Sequence, residues 1–303
     1  MIMNMKIDKE NDVVAYNDAE HVYIEKSTGM KCVSVTTLIH HFTQPFDSTF
    51  WSCAKALEAL ITPEQFASIK EELYRKKKFD DKYVTKFGIQ PEVFIQKKYE
   101  ILDAWKTKNE EACERGTRIH KIHEDLHLKG TTPEIQKLGL GGSFKLNVSN
   151  KVAPNEDGIY PELLIHRISE DGRLRIAGQA DLIIIENGNI HVLDYKSNKE
   201  IKKSSYYNPS TRQKQMMQYP LNNLQDCNLF HYNLQLSTYA WLIKKQHPEL
   251  TVKSLTIIHI DHKDKTTFYD LPYLEQDVER MLAYYKGKII KEQMYEKLKP
   301  IEY

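Results

Sequence analysis

No run of about 18 apolar residues occurs anywhere in the sequence, so no membrane span is expected. The first residues, MIMNMKIDKENDVV, lack the apolar stretch of a secretory signal, and a cytoplasmic-type compartment is the expectation. Cysteine is scarce: Cys32, Cys53, Cys113 and Cys227 are the four among 303 residues. They are far apart and form no C-x-x-C pair, which argues against zinc ribbons and disulfide frameworks. Charge of either sign is not in surplus, the formal net value being +1. A uniformly basic nucleic-acid binder is therefore excluded, and any polyanion must be met by segregated charge. No phosphate-cradling G-x-x-x-x-G-K-[ST] loop, no hydrolase nucleophile elbow, no internal repeat and no low-complexity tract is present. The remainder is an ordinary globular composition, long enough for a large core with an accessory lobe.

What the chain does contain is centred on Ile176–Glu200, IAGQADLIIIENGNIHVLDYKSNKE. Ala180–Ile185 reads as an apolar strand, Asn187-Gly188-Asn189 as a turn and Ile190–Tyr195 as the returning strand. Asp181 lies early in the first strand, and Asp194 and Lys196 end the second. Residues two apart on a strand point to the same side, so Asp194 and Lys196 project together and the hairpin can bring Asp181 beside them. Two carboxylates and an ammonium on one sheet edge suit a hard divalent cation and an activated water. Mg²⁺ prefers oxygen ligands and retains waters. Asp181 and Asp194 supply the oxygens, a main-chain carbonyl near Tyr195 can add a third, and Lys196 can orient or deprotonate the attacking water, with a pKa lowered by desolvation and the nearby cation. The alternative is that the three residues form a salt-bridged strand end.

The other elements follow in order. Residues 13–40 read as a small β element followed by a short helix, Thr37–Phe42, capped by Thr36. Residues 49–110 are mostly helical, with proline starts at Pro63 and Pro91 and a basic run Arg75-Lys76-Lys77-Lys78, read as a solvated face or a DNA-facing arm. A long helical pattern covers 99–128, interrupted at Gly116-Thr117, with His120 just after. Residues 129–159 read as loop on the glycines Gly139, Gly141, Gly142 and Gly158. Glu162–Ile168, a turn at Asp171-Gly172 and Leu174–Ile176 lead into the hairpin as a meander of three or four strands. A polar connection to Phe230, with breakers Asn208-Pro209-Ser210 and Pro220, carries Lys199, Lys202, Lys203, Arg212 and Lys214 among Tyr206, Tyr207 and Tyr219, a pattern suited to phosphates and base stacking. A helix over Tyr232–Lys245, a strand over Val252–Ile260 and a final helix over 275–297 complete the chain.

Gly178-x-x-Asp181 followed by Asp194-Tyr195-Lys196 resembles the signature of the PD-(D/E)xK nuclease superfamily. Gly116-Thr117-x-x-His120, Glu162 and Gln235-x-x-x-Tyr239 fall in the order of its RecB-like subgroup. Ser34-Val35-Thr36, Phe50-Trp51 and the stretch Tyr207–Tyr239 look like phage and mitochondrial-genome-maintenance-type exonucleases. The resemblance implies a restriction-endonuclease-like α/β (α+β) core, with a central mixed sheet flanked by helices, over 101–303. A β/helical lobe over 1–100 would roof the site. It implies one or two Mg²⁺ or Mn²⁺ ions held by Asp181, Asp194, the Tyr195 carbonyl and His120, with Glu162 near the second metal or its water. Gln235 would buttress the lysine region, and Tyr239 would meet DNA or the site. No iron–sulfur cluster is expected, because the downstream cysteine triplet of some relatives is missing. The implied activity is metal-dependent DNA exonuclease action on single strands or duplex ends, in replication, recombination or repair and in some relatives viral. A helicase or recombination partner is compatible, since the chain has no motor of its own. A structure-specific endonuclease with the same site and a catalytically silent DNA-binding module are the alternatives.

Overall fold

Asn187 and Gly188 both adopt positive φ, 51° and 73°, the backbone that a two-residue hairpin turn requires and that Asn-Gly supplies at little steric cost. That turn fixes the register of the sheet. The computed structural model describes residues 7–129, 133–140, 147–208 and 212–298. In chain order its elements are β1 (Lys9–Glu10), β2 (Val14–Asn17), β3 (Val22–Glu25), β4 (Lys31–Ser34), α1 (Val35–His40), α2 (Ser48–Leu60), α3 (Pro63–Lys76), α4 (Lys82–Lys86), α5 (Pro91–Leu128) and α6 (Pro133–Lys137). They continue with β5 (Asn147–Val148), β6 (Gly158–Ile168), β7 (Arg175–Glu186), β8 (Asn189–Lys196), β9 (Tyr207–Asn208), β10 (Gln213–Lys214), α7 (Asn228–Gln246), β11 (Thr251–Ile260), β12 (Thr266–Leu271) and α8 (Glu275–Leu298).

The main sheet is mixed. β6, β7 and β8 form an antiparallel meander, β11 joins β8 in parallel, and β12 closes that edge antiparallel to β11. The hairpins β1–β2–β3–β4 reach the sheet through a parallel pairing of Val33 and Ser34 with Ile176 and Ala177 of β7. A mixed sheet flanked by helices is thus the architecture expected from the sequence.

Two compact units are distinguished. One comprises 1–43, 118–207 and 214–303; the other comprises 44–117 and 208–213. The division expected at residue 100 is therefore drawn differently. The N-terminal hairpins are stitched into the main sheet by backbone hydrogen bonds, which binds them to the first unit. The second unit is helical, and its own core includes Phe50, Leu57, Phe66, Ile69, Leu73 and Phe94. Thr62 and Gln65 form a reciprocal cap before Pro63, which explains the sharp start of α3.

Several expectations change in detail. The first helix is capped by Ser34, whose side chain accepts from the Thr37 backbone N–H, rather than by Thr36. α5 runs unbroken through Gly116-Thr117, because one helical glycine costs only about 1 kcal/mol, well within what a long helix absorbs. The strand expected at 174–176 and the strand at 180–185 are a single strand, β7. α6 and β12 were not expected; Gly141, Gly142, Pro209 and Ser210 lie outside the described residues.

Gly178 explains its own motif. A Cβ built there would stand 2.7 Å from Tyr239 Cε1 and 3.0 Å from Val35 Cγ2. Its value is therefore close approach: α7 and α1 press onto β7 where a side chain would hold them off. Gly178→Ala should destabilise the fold by about 1–3 kcal/mol through overpacking, seen as a lower thermal midpoint; an unchanged midpoint would show that Tyr239 yields freely.

Candidate active site

The register sets three acids in one rank across three strands. Pro161 pairs with Leu182 and Leu163 with Ala180, so Glu162 falls opposite Asp181 on one edge of β7. On the other edge the β7–β8 ladder ends at Leu182–Leu193, one step before Asp181 would meet Asp194. Beyond that end, the Tyr195 backbone N–H leaves the ladder and donates to Asp181 Oδ2 at 2.7 Å. Strand divergence thus frees a donor, and the carboxylate accepts from it. Glu162 has φ 51°, a left-handed backbone that non-glycine residues seldom adopt; such strain costs of order 1–3 kcal/mol and concentrates at functional sites.

α5 delivers His120, whose Nδ1 lies 3.3 Å from Asp181 Oδ2. One ligand atom from each of His120, Glu162 and Asp181 lies within 4.8 Å of the others. Among the described residues this is the group of three or more that meets that criterion. Asp194 is not in it. Its Oδ2 is 2.5 Å from Lys196 Nζ, and its Oδ1 accepts from Gln235 Nε2 at 3.3 Å. The Gln235 amide also donates to the Tyr239 hydroxyl at 3.1 Å. Tyr239 is buried, so it braces Gln235 from inside. Gln235 buttresses Asp194 directly and Lys196 through it.

The electrostatics follow from burial and proximity. His120 is pushed up to about 9, chiefly by Asp181, against the opposing effect of burial. Burial and the Asp181 charge raise Glu162 to about 7. Burial, then Asp181, raises Asp194 to about 6. Burial pushes Asp181 up as well, but the His120 and Lys196 cations and the Tyr195 N–H hold it below its ordinary value. A further charged group of the site is Lys196. Burial would lower it, but Asp194 and Asp181 outweigh burial and raise it, so in the metal-free chain it is a firmly held ammonium.

Three contacts were missed from the sequence. Gln179 donates to Glu162, a link readable in hindsight because Gln179 and Asp181 are two apart on β7 and share a side. Lys9 lies 3.5 Å from Glu162, a partner no local pattern marks. Tyr232 places its ring 4.8 Å from Lys196 Nζ, one helical position group away from Gln235 on α7 and therefore on the same side. Lys196 opens on a cleft of about 330 Å³ whose walls include Thr36, His40, Asn228 and His231 and, among the described residues, no carboxylate.

The model of the PD-(D/E)XK nuclease superfamily matches residues 37–301. The chain belongs to that superfamily. No curated protein matches the chain. Among solved structures, the nuclease chain is similar to one named SSO0001, at 21% identity over 59% of this chain and 72% of that one, with a TM-score of 0.28. It is also similar to a proposed exonuclease from Eubacterium rectale, at 10% identity over 83% of this chain and 70% of that one, with a TM-score of 0.32. No described helix is long and apolar enough to cross a membrane.

Proposed function

We propose that the protein is a divalent-metal-dependent deoxyribonuclease of RecB-like type that removes nucleotides from single-stranded DNA or duplex ends. The observation that carries the reading is the convergence of His120, Glu162 and Asp181 within 4.8 Å beside the Asp194–Lys196 pair, within a chain of nuclease ancestry. Two carboxylates and one imidazole suit Mg²⁺, with the nitrogen adding tolerance for Mn²⁺. Asp181, His120 and Glu162 would hold the first ion. Asp194 and the Tyr195 carbonyl complete the donor set once Asp194 is drawn from Lys196. When bound, the ion supplies charge for the anionic phosphodiester and acidifies a water.

The chain's own groups do the remaining work. Gln235 holds Asp194 in place, and the Tyr195 N–H orients Asp181. Lys196, paired with Asp194 at 2.5 Å, would donate to a water or a phosphate oxygen. Asp194 and Asp181 hold Lys196 protonated; a bound cation would supply competing positive charge to those acids, and Lys196 would then serve as a proton acceptor. The carboxylate-free cleft at Lys196 accepts a polyanion, and Lys199, Lys202, Lys203 and Lys214 with Tyr206 and Tyr207 would track the strand beyond it. Exonuclease action, a role in replication, recombination or repair, phage-type kinship, a helicase partner and a cytoplasmic setting belong to this same reading. A structure-specific endonuclease with the same site is the second reading.

Metal binding should release protons, because the ligands His120 and Glu162 are raised to about 9 and about 7 in the metal-free chain. Mn²⁺ affinity should therefore climb steadily from pH 6 to pH 9. Calorimetry in buffers of different ionisation enthalpy measures the proton count. His120→Ala should flatten the upper part of that climb, lower activity and alter the Mg²⁺/Mn²⁺ ratio; a pH-independent affinity in the parent protein would take both groups out of the metal site.

A further inference from the structure

One turn beyond His120, α5 carries a second cluster that the nuclease reading does not use. His123 and His127 are four apart and share a face of the helix. That face turns inward: His127 is 1% exposed, and the His123 side chain is 12% exposed. Glu134 of α6 brings Oε2 to 4.0 Å from His123 Nδ1. Tyr195 stacks on His123 with ring centroids 4.0 Å apart and reaches His127 at 5.7 Å. His123 Nδ1, both nitrogens of His127, Glu134 Oε2 and the Tyr195 hydroxyl are all buried, and none has a hydrogen-bond partner among the described residues. Buried polar atoms are normally paired. Tyr195 also belongs to an apolar cluster with Ile119, Ile135, Leu193 and Ile258, so these unpaired polar atoms lie next to hydrophobic core.

The donors define the cluster's chemistry. Two imidazoles and a carboxylate, with a phenol beside them, suit a borderline cation of the Zn²⁺ class better than Mg²⁺. We propose that His123, His127 and Glu134 form a structural Zn²⁺ site behind the nuclease acids. His123-Glu124-Asp125-Leu126-His127 has the spacing by which a helix offers two histidines to zinc. The intervening acid is turned elsewhere: Glu124 pairs with Lys9 at 3.3 Å and Lys121 at 3.1 Å. With Glu124 turned away, the site is read as structural rather than hydrolytic. The imidazole centroids stand 6.3 Å apart, wider than a closed site. Donors around one tetrahedral zinc lie roughly 3.3 Å from each other given bonds of about 2.0–2.1 Å, so binding draws the two rings and Glu134 together by side-chain rotation. The consequence reaches the nuclease site through Tyr195, whose ring lies in this cluster and whose backbone N–H donates to Asp181.

The test uses full-length protein stripped with a chelator and titrated with Zn²⁺, and with Co²⁺ as a visible-absorption probe. The Asp181→Asn variant serves as the background that removes the acid site. In the Asp181→Asn background the expected result is one Zn²⁺ per chain at micromolar affinity or tighter, a tetrahedral Co²⁺ spectrum and a higher thermal midpoint. His127→Ala should weaken binding by about tenfold or more. Glu134→Gln, which keeps the side-chain shape, should weaken it as well, and it decides the matter if His127→Ala fails to fold. Binding weaker than millimolar would overturn the proposal, and so would binding lost in Asp181→Asn but kept in Glu134→Gln. Neither result depends on whether the protein cleaves DNA.

Discussion

Lys196→Ala is expected to lower DNA cleavage by about 10²–10⁴-fold, the range for removal of a positioned proton-transfer group, while the protein stays folded and still binds Mn²⁺. The fold survives because Asp194, the buried partner 2.5 Å away, need not remain an unpaired charge. Burial and Asp181 have already raised it to about 6. Without the ammonium it moves higher and takes up a proton, so the variant trades an ion pair for a neutral acid held by Gln235. The measurement is single-turnover cleavage beside a thermal melt and a metal titration. Near-parent turnover would remove Lys196 from the chemistry. A collapsed melt would show that the Asp194–Lys196 pair is structural.

Asp181→Asn should have the second large effect, because Asp181 touches the most partners. It accepts from the Tyr195 N–H, faces His120 and lies opposite Glu162. The substitution should abolish detectable Mn²⁺ binding at the acid site and cleavage with it. It also carries a signature independent of metal. His120 is held up to about 9 chiefly by Asp181, so in the metal-free variant its imidazole should titrate near the ordinary value of about 6.5, read by NMR. The linkage has a definite sign. A histidine raised in the folded state contributes stability that is fully present below its unfolded pKa of about 6.5 and is lost as pH rises through about 9. The metal-free parent should therefore lose its stability advantage over Asp181→Asn between those limits. An unshifted His120 would mean that the contact with Asp181 is not formed in solution.

The parts of the site legible in the sequence were those encoded by short-range rules. Asn187-Gly188 specified the turn, the period-2 pattern specified both strands, and together they set Asp181 near Asp194 and Lys196. Gln235 and Tyr239 stood out through the resemblance to RecB-like nucleases, the four-residue spacing adding only that they share a helix face. Less legible was everything decided by tertiary context. The unbroken α5 overrode a local glycine signal at Gly116, and β7 ran through the region where two strands were expected because β4 and β8 share one of its edges. Lys9 reaches Glu162 from 153 positions away in sequence, a distance no local pattern spans. The positive φ of Glu162 is likewise invisible in a residue type that rarely adopts it. His123 and His127 could have been noticed by spacing; their burial, which gives the spacing meaning, could not.

The central claim is a metal-dependent nuclease that works from DNA ends. The most direct measurement is digestion of end-labelled linear and circular single-stranded DNA in Mg²⁺, Mn²⁺ or EDTA. Loss of the linear strand alone, in either metal and not in EDTA, is the predicted result. Cutting of the circle would contradict action from ends and favour the endonuclease reading, and cleavage that persists in EDTA would contradict the metal site itself.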